Sequence, residues 1–274
     1  MKTITPLILT YNEEPNIGRL LEKLRWADRI VVVDSFSTDR TLEIAAGCPR
    51  VEVLQRTFDN HVNQWNFGLA QVQTPWVLSL DADYILSDEL IDELEEKSAS
   101  FDKDGYYVPF RYCIGGRALR GSLYPPRLAL FKKERARYVA DGHTQVLALD
   151  GNVGRLTSVI YHDDRKPLAA WLRAQDRYAT LEAEKLTTTP IEALGRIDRL
   201  RRRKWVTPLL ITAYCLFGKG LILDGALGWY YTFQRTYAEL LLSLKLTERD
   251  LLGEEQQDAS TWLPSSNPGA LPQP

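Results

Sequence analysis

Cysteine is scarce in this 274-residue chain: Cys48, Cys113 and Cys215 are odd in number and widely spaced. That argues against a disulfide framework or a closely spaced thiolate metal site, and for a reducing compartment with three small core thiols. A charge excess is missing too. The formal net charge is −2, so bulk attraction to nucleic acid is absent and no nucleic-acid partner is expected. Long apolar runs are also lacking. The first, inside MKTITPLILTYNEEPN, lasts about six residues, too short for a signal-peptide core and far from the ~20 that span a bilayer. A cytoplasmic location is expected. No strand-like run leads into G-x-G-x-x-G, no P-loop occurs and no internal repeat is visible, so any phosphate-bearing ligand must be held without a glycine cradle.

What is present supports a real core: 45% of residues are hydrophobic and 26% charged, ordinary for a globular chain of one large domain with or without an appendage. TPLILT (5–10) reads as a strand, with Asn12 able to cap the helix that follows, Pro15 in its first turn, and Ile17, Leu20, Leu21 and Leu24 as one stripe. RIVVVDS (29–35), VEVLQR (51–56) and WVLSLDAD (from 76) read as further strands, separated by helices over STDRTLEIAAG and NHVNQWNFGLAQVQ. His61 reads as the cap of the latter. The alternation predicts a parallel, doubly wound α/β sheet. From about 105 to 162 the period becomes two, in GYYVPFRYC, RLALFKK and TQVLALDGNVGRL, which predicts an antiparallel extension with DGN turning a hairpin. The expected layout is an α/β domain over 1–165, a helical region over 166–250 and a Pro-, Ser- and Gln-rich disordered tail over 251–274.

In such sheets ligands sit outside the carboxyl ends of the strands. Three strand ends deliver polar residues there: Thr10, Asn12, Glu13 and Glu14; then Asp34 and Ser35; then Asp81 and Asp83. On an ideal strand the last two share a face. Unpaired, they would repel and cost desolvation. A hard divalent cation, Mg2+ or Mn2+, resolves the conflict and completes its shell with phosphate oxygens and water. Alternatively one aspartate takes a ribose hydroxyl while the other takes the metal. Either arrangement suits a metal-bound nucleoside diphosphate.

LTYNEEPNIGRLLEKLRWADRIVVVDSFSTDRTLEIA, followed by QWNFGLAQVQTPWVLSLDAD, resembles the inverting, nucleotide-sugar-dependent glycosyltransferases of family 2, with the GT-A fold. Within that family it is most similar to the branch of bacterial lipopolysaccharide-core β-glucosyltransferases. The resemblance implies that Thr10, Asn12, Glu13 and Glu14 flank a nucleoside pocket. It implies that Asp34 and Ser35 contact uracil or its ribose, and that Gln64 and Asn66 line the donor site. Asp81 would lie near the ribose and Asp83 would ligate the metal, with His162 in VIYHDD completing the metal shell. Of the arginines around RYCIGGRALRGSLYPPR, Arg127 opens a strand as in relatives and is the one expected to hold the diphosphate. GG and PP there mark a mobile loop.

Three positions depart from the family pattern. Tyr84 follows the aspartate pair where an acid is usual, and Trp65 stands where arginine is common. Gln145, in ADGHTQVL, falls where a glutamate would take the acceptor hydroxyl proton. Glutamine cannot, so the base is sought in Asp141 or His143, with the carboxylate favoured. The Gln145 departure also supports a rival reading: a catalytically inactive relative that binds a nucleotide sugar or scaffolds an envelope complex.

RIDRLRRRKW packs six basic residues against one acid between 196 and 204, next to apolar, aromatic segments over 205–217 and 221–233. These segments are too short to span a bilayer but suit helices lying on an anionic leaflet. The expectation is peripheral contact with the cytoplasmic face of the inner membrane, where a glycan or lipid-linked acceptor would be met. The alternative is a packed helical subdomain or a homodimer face.

Overall fold

Strand β1 (Ile4–Thr10) lies inside a seven-stranded sheet and is buried along nearly its whole length. The computed structural model of the protein describes residues 3–98, 100–141 and 144–261, the side chains of 141, 144 and 253–261 excepted. After β1 come α1 (Ile17–Lys23), β2 (Ile30–Asp34), α2 (Thr41–Ala46), β3 (Val51–Gln55), α3 (His61–Gln71) and β4 (Trp76–Asp81). β1 pairs in parallel with β2 and β4, and β2 with β3. Alternate residues serve opposite faces. Ile4, Ile8, Ile30, Val32, Leu78 and Leu80 pack with Ile17, Leu20 and Leu21 of α1, while Leu7, Val31, Val33 and Val77 pack under Trp65 and Leu69 of α3. Both faces are covered, which is why these strands read as continuous apolar runs. Helix α3 crosses β1 so closely that a Cβ on Gly68 would lie 2.6 Å from Leu7 Cδ1.

The chain continues through β5 (Tyr84–Leu86), α4 (Asp88–Lys97), β6 (Gly105–Val108), β7 (Phe110–Ile114), β8 (Arg117–Ala118), β9 (Arg127–Lys132), β10 (Ala136–Asp141), β11 (Thr144–Leu149), β12 (Val153–Arg155) and β13 (Ile160–His162). The main sheet has the order β12-β6-β9-β4-β1-β2-β3, with β9 antiparallel to both of its neighbours. A four-stranded sheet, β5-β13-β7-β8, and the β10–β11 hairpin complete the strands. The expected mostly parallel sheet with an antiparallel extension is therefore present.

Some local expectations need correction. DGN does not turn a hairpin: β11 pairs with β10, and β12 runs parallel to β6. The reason is Asp104, whose backbone N–H donates to Asn152 O (2.8 Å) and whose carboxylate accepts from Asn152 N (3.0 Å). Those bonds tie the turn to the start of β6 and send β12 to the sheet edge. Asn12 does not cap α1, which begins after Asn16; it adopts φ 53° in the preceding loop. His61 is the first residue of α3, and the cap is Asn60, whose side chain accepts from Asn63 N (2.8 Å).

The helices that follow are α5 (Leu168–Thr188), α6 (Arg196–Arg201), α7 (Val206–Ala213) and α8 (Ala226–Thr261). By contacts the chain forms two units, one of residues 1–173 with 213–233 and one of 174–212 with 234–274. In the second, Ala179, Ala183, Leu186, Leu194, Leu242 and Leu246 make a small core. Half of its basic cluster is spent on holding helices together. Arg201 pairs with Glu239 (2.6 Å) and Glu182 (3.2 Å), Lys204 pairs with Asp250, and Arg199 donates to the Leu194 and Glu192 carbonyls. Helix α8 runs through Thr261, past residue 251 where a disordered tail is expected; residues 262–274 lie outside the described residues. Among the described residues no helix is long and apolar enough to cross a membrane.

Candidate active site

The parallel register sets Thr10 opposite Asp34 and Leu9 opposite Asp81, so the ends of β1, β2 and β4 finish level on one rim. Asp34 is fully buried and organises that rim. Its carboxylate accepts from Thr10 Oγ1 (3.0 Å), Ser37 N (2.9 Å), Ser37 Oγ (2.5 Å) and Gln55 Nε2 (3.4 Å). Asn12 uses its left-handed backbone to reach the same loop: its N–H donates to Ser37 Oγ, and its Oδ1 accepts from Thr38 N (2.8 Å). Glu14 lies beside it, its N–H donating to Asp39 (3.1 Å). Gln64 is buried and bridges Ser35 Oγ (3.0 Å) to Arg56. Asn66 exchanges two 2.9 Å bonds with the Tyr138 backbone and so pins β10 to α3. Polar groups that the sequence offers as ligand contacts are thus engaged in shaping the loops. The half-exposed rings of Tyr11 and Phe36 are what this part of the rim presents outward.

Asp81 and Asp83 do not lie on one continuing strand. Strand β4 ends at Asp81, and the chain turns through Ala82 and Asp83 into β5. The repulsion foreseen for an ideal strand is relieved by a separate basic partner for each acid. Asp81, 41% exposed, meets Arg127 Nη1 (3.1 Å). Asp83, 15% exposed, meets His162 Nε2 (2.9 Å). The antiparallel pairing of β13 with β5, His162 opposite Tyr84, brings this histidine across.

The imidazole is held by rings: Tyr124 at 4.6 Å, Tyr112 at 4.8 Å and Tyr84 at 5.4 Å between centroids. Burial works to lower the His162 pKa, but the charge and hydrogen bond of Asp83 outweigh it and raise it. The Tyr84 hydroxyl, kept protonated by burial, accepts from Arg127 Nη1 (2.5 Å) and meets the Tyr124 hydroxyl at 3.1 Å. Burial also works against the Arg127 charge, and Asp81 together with Tyr84 and Tyr124 more than compensates.

Two buried atoms here have no hydrogen-bond partner among the described residues: Asp83 Oδ1 and His162 Nδ1. An orphaned carboxylate oxygen is costly unless something binds it. With Asp83 oxygens and His162 nitrogen, the donor set fits a divalent cation such as Mn2+ or Mg2+. Among the described residues no three His, Cys, Asp or Glu side chains form a protein-only cage. Phosphate and water would have to complete the shell, as is usual for such ions.

Beside the pair sits Glu13, hydrogen-bonded by Lys166 Nζ (2.5 Å) and Asn16 Nδ2 (2.9 Å). Burial, reinforced by the charge of Asp83, pushes its carboxyl up to about 7 despite the pull of Lys166. A carboxyl that keeps its proton to about pH 7 when folded, against an ordinary 4.5, favours the fold at low pH; that contribution is lost as pH rises from 4.5 to 7. His162 acts in the same direction, its contribution being present below 6.5 and lost as pH rises through the raised value. The metal-free protein is therefore expected to lose on the order of 3 kcal/mol between pH 5 and 8. That corresponds to a Tm drop of about 5 °C. Differential scanning fluorimetry in EDTA should show the drop, and Glu13→Gln should flatten most of it. A wild-type Tm that holds or climbs over this range would contradict the assignment.

A cavity of about 270 Å³ opens beside Asp81 and Arg127, walled by Trp65, Tyr107, Phe110 and Tyr138 and by Gln145 of β11. Of the two candidate bases, His143 lies outside the described residues, and Asp141 is described in backbone only, pairing with Thr144 at the hairpin end. Tyr112, Tyr124 and Lys166 escape sequence reasoning, and Tyr84 enters it only as a departure from the family pattern. SLYPPR places Tyr124 three residues before Arg127, but nothing local says its ring will meet His162.

Residues 7–159 match the model of glycosyl transferase family 2. The lipopolysaccharide core biosynthesis glycosyltransferase LpsC of Rhizobium meliloti is 26% identical over 259 residues, covering 91% of this chain and 93% of LpsC. An uncharacterized glycosyltransferase of Rickettsia typhi is 38% identical over 107 residues, 39% of this chain; the match spans only 36% of that relative's length. Among solved structures, the mannosyltransferase PcManGT of Pyrobaculum calidifontis, in complex with GDP-Man and Mn2+, is 16% identical with a TM-score of 0.50, over 92% of this chain and 88% of that one. S. aureus TarS 1–349 in complex with UDP-GlcNAc is 15% identical with a TM-score of 0.50, over 90% and 92%. These two likenesses carry the GT-A fold. Since the family model covers more than half of its length, the chain belongs to glycosyl transferase family 2.

Proposed function

We propose that the protein is an inverting hexosyltransferase that uses Mg2+ or Mn2+ to hold a UDP-linked sugar donor. The acceptor would be a glycan or lipid-linked component of the bacterial envelope, met at the cytoplasmic face of the inner membrane. One observation carries the reading: the buried, unbonded Asp83 Oδ1 beside His162 at the rim where three strands end. Asp83 and His162 would hold the cation, which when bound neutralises the departing diphosphate. Arg127 supplies a second positive charge on the same side. Asp81 is read as the ribose contact, and Tyr11 or Phe36 as the ring that stacks on the base. Thr10, Asn12, Glu13, Glu14, Asp34, Ser35, Gln64 and Asn66 act mainly by fixing the loops around that pocket. Asp141 is the proposed base, with His143 the alternative, taking the acceptor hydroxyl proton as its oxygen attacks C1 opposite the leaving group. Similarity to LpsC along nearly the whole chain supports an envelope acceptor.

The rival reading, a binder without turnover, is favoured by Gln145, an amide in the cavity wall next to Asp81. A thermal-shift panel of sugar nucleotides with and without Mn2+, followed by UDP release with envelope-glycan acceptors, separates the two. Mn2+-dependent stabilisation by UDP-sugars with UDP release supports the transferase. Stabilisation without release across the panel supports the binder, and no stabilisation by any nucleotide sinks both.

A further inference from the structure

Residues 213–233 form an elbow on the first unit: a π-helical turn (Tyr214–Gly218), a 3-10 turn (Leu221–Asp224) and the first turns of α8. Gly220 (φ 70°) and Gly225 (φ 58°) make its bends, conformations that suit glycine. The inner side is fully used. Cys215, Leu216, Leu221 and Tyr231 are buried. The Tyr231 hydroxyl accepts from Leu123 N (2.9 Å), and Asp224 takes the backbone N–H and guanidinium of Arg120 (2.9 and 3.1 Å). The outer side is apolar. Phe217 is 69% exposed, Leu223 67% and Phe233 60%, and Tyr214, Trp229 and Tyr230 are exposed around them. So many large apolar side chains facing water in one short segment mark an interaction surface.

We propose that this elbow is a docking face for an anionic bilayer surface. Charge complementarity chooses the occupant. The chain as a whole carries −2, yet Asp224 is the single acid between Asp198 and Glu239, and it is turned inward onto Arg120; no acid at all occurs between Asp104 and Glu134. Lys219, over the Tyr214 ring at 5.6 Å, is a cation of the elbow itself, and the acid-free stretch that touches the elbow through Tyr112 and Arg120 also carries the exposed Arg111 and Arg117. Basic side chains around Trp, Tyr and Phe are what an anionic headgroup layer binds. A second copy would set the same cations against each other across a two-fold interface.

The elbow is also tied to the site. The Tyr231 ring lies 4.9 Å from Tyr112, which packs at 4.8 Å on His162. Docking would hold the Asp83–His162 rim two ring contacts from the bilayer-facing element. That purpose rests on the membrane-borne acceptor proposed above; the docking itself does not.

The test uses the full chain, sedimented with phosphatidylcholine vesicles with and without one-third phosphatidylglycerol. Binding is expected only with the anionic vesicles and should weaken with salt. The triple variant Phe217→Ser, Leu223→Ser, Phe233→Ser should bind at least ~100-fold more weakly. Arg117→Glu with Lys219→Glu should abolish the anionic preference while leaving the buried side intact. Hydrolysis of a soluble UDP-sugar without vesicles should be unchanged in all variants. Its absence in wild type would count against the transferase reading alone, since vesicle binding would stand. Failure of wild type to pellet with anionic vesicles, equal pelleting of the triple variant, or dimerisation through these side chains in place of vesicle binding would overturn the proposal.

Discussion

Asp83→Ala is expected to abolish sugar transfer and donor hydrolysis, lowering kcat/KM by at least ~10³-fold in the presence of Mn2+. The effect should be chemical, because this side chain does little for the scaffold. Its structural bond is made by the backbone, where Asp83 O accepts from Asp163 N (3.0 Å), and alanine keeps that bond. Among the described residues the carboxylate is hydrogen-bonded by His162 alone, through one oxygen. Removing it leaves burial of His162 opposed only by the weaker pulls of Asp81 and Asp164, so the imidazole pKa should fall. His162→Ala should cost less, roughly 10- to 100-fold in metal affinity or activity, since the carboxylate would remain. UDP release and Mn2+ calorimetry on the two variants check both statements. Undiminished turnover by the Asp83 variant would remove the cation from this rim.

Much of this was legible in the sequence because it depends on local pattern. The apolar runs of β1, β2 and β4 announce strands covered on both faces, and their polar ends announce the rim. Capping was less legible. Asn12 and Asn16 both resemble N-caps, and only the loop's contact with Ser37 and Thr38 tells that Asn12 is used elsewhere. The DGN turn misled because Asp104, far away in sequence, captures it. The relation of Asp81 to Asp83 misled for a similar reason. The i, i+2 rule holds for a continuing strand, but β4 ends between them, and each acid leans to a partner more than 40 residues away, Arg127 or His162. The aromatic box comes from β5, β7 and the loop before β9. No periodicity reports such convergence.

Arg127→Ala is the second variant expected to fail badly, with kcat/KM down by ~10²-fold or more and most of the loss in kcat. Among the described residues the side-chain hydrogen bonds of Arg127 are made by Nη1, to Asp81 (3.1 Å) and to the Tyr84 hydroxyl (2.5 Å). The rest of the guanidinium fork, steadied by the Tyr124 ring 5.8 Å away, is the part that would meet a ligand. If the fork meets the diphosphate as negative charge grows on it, the interaction is stronger in the transition state than in the ground state, and kcat carries the loss. Arg127→Lys should recover little of it, because a single ammonium cannot keep both Nη1 bonds and also present a planar fork. Tyr84→Phe tests the positioning directly: it removes one of the two anchors, keeps the charge, and should cost about 10-fold, the equivalent of one hydrogen bond to a charged group. The confounding effect is Asp81, which loses its counter-charge in Arg127→Ala. A double-mutant cycle with Asp81→Asn separates that loss from the contact with the donor. If Asp81→Asn restores the activity of the arginine variant, Arg127 serves only to balance its neighbour. A deficit that persists in the double variant assigns the fork to the leaving diphosphate.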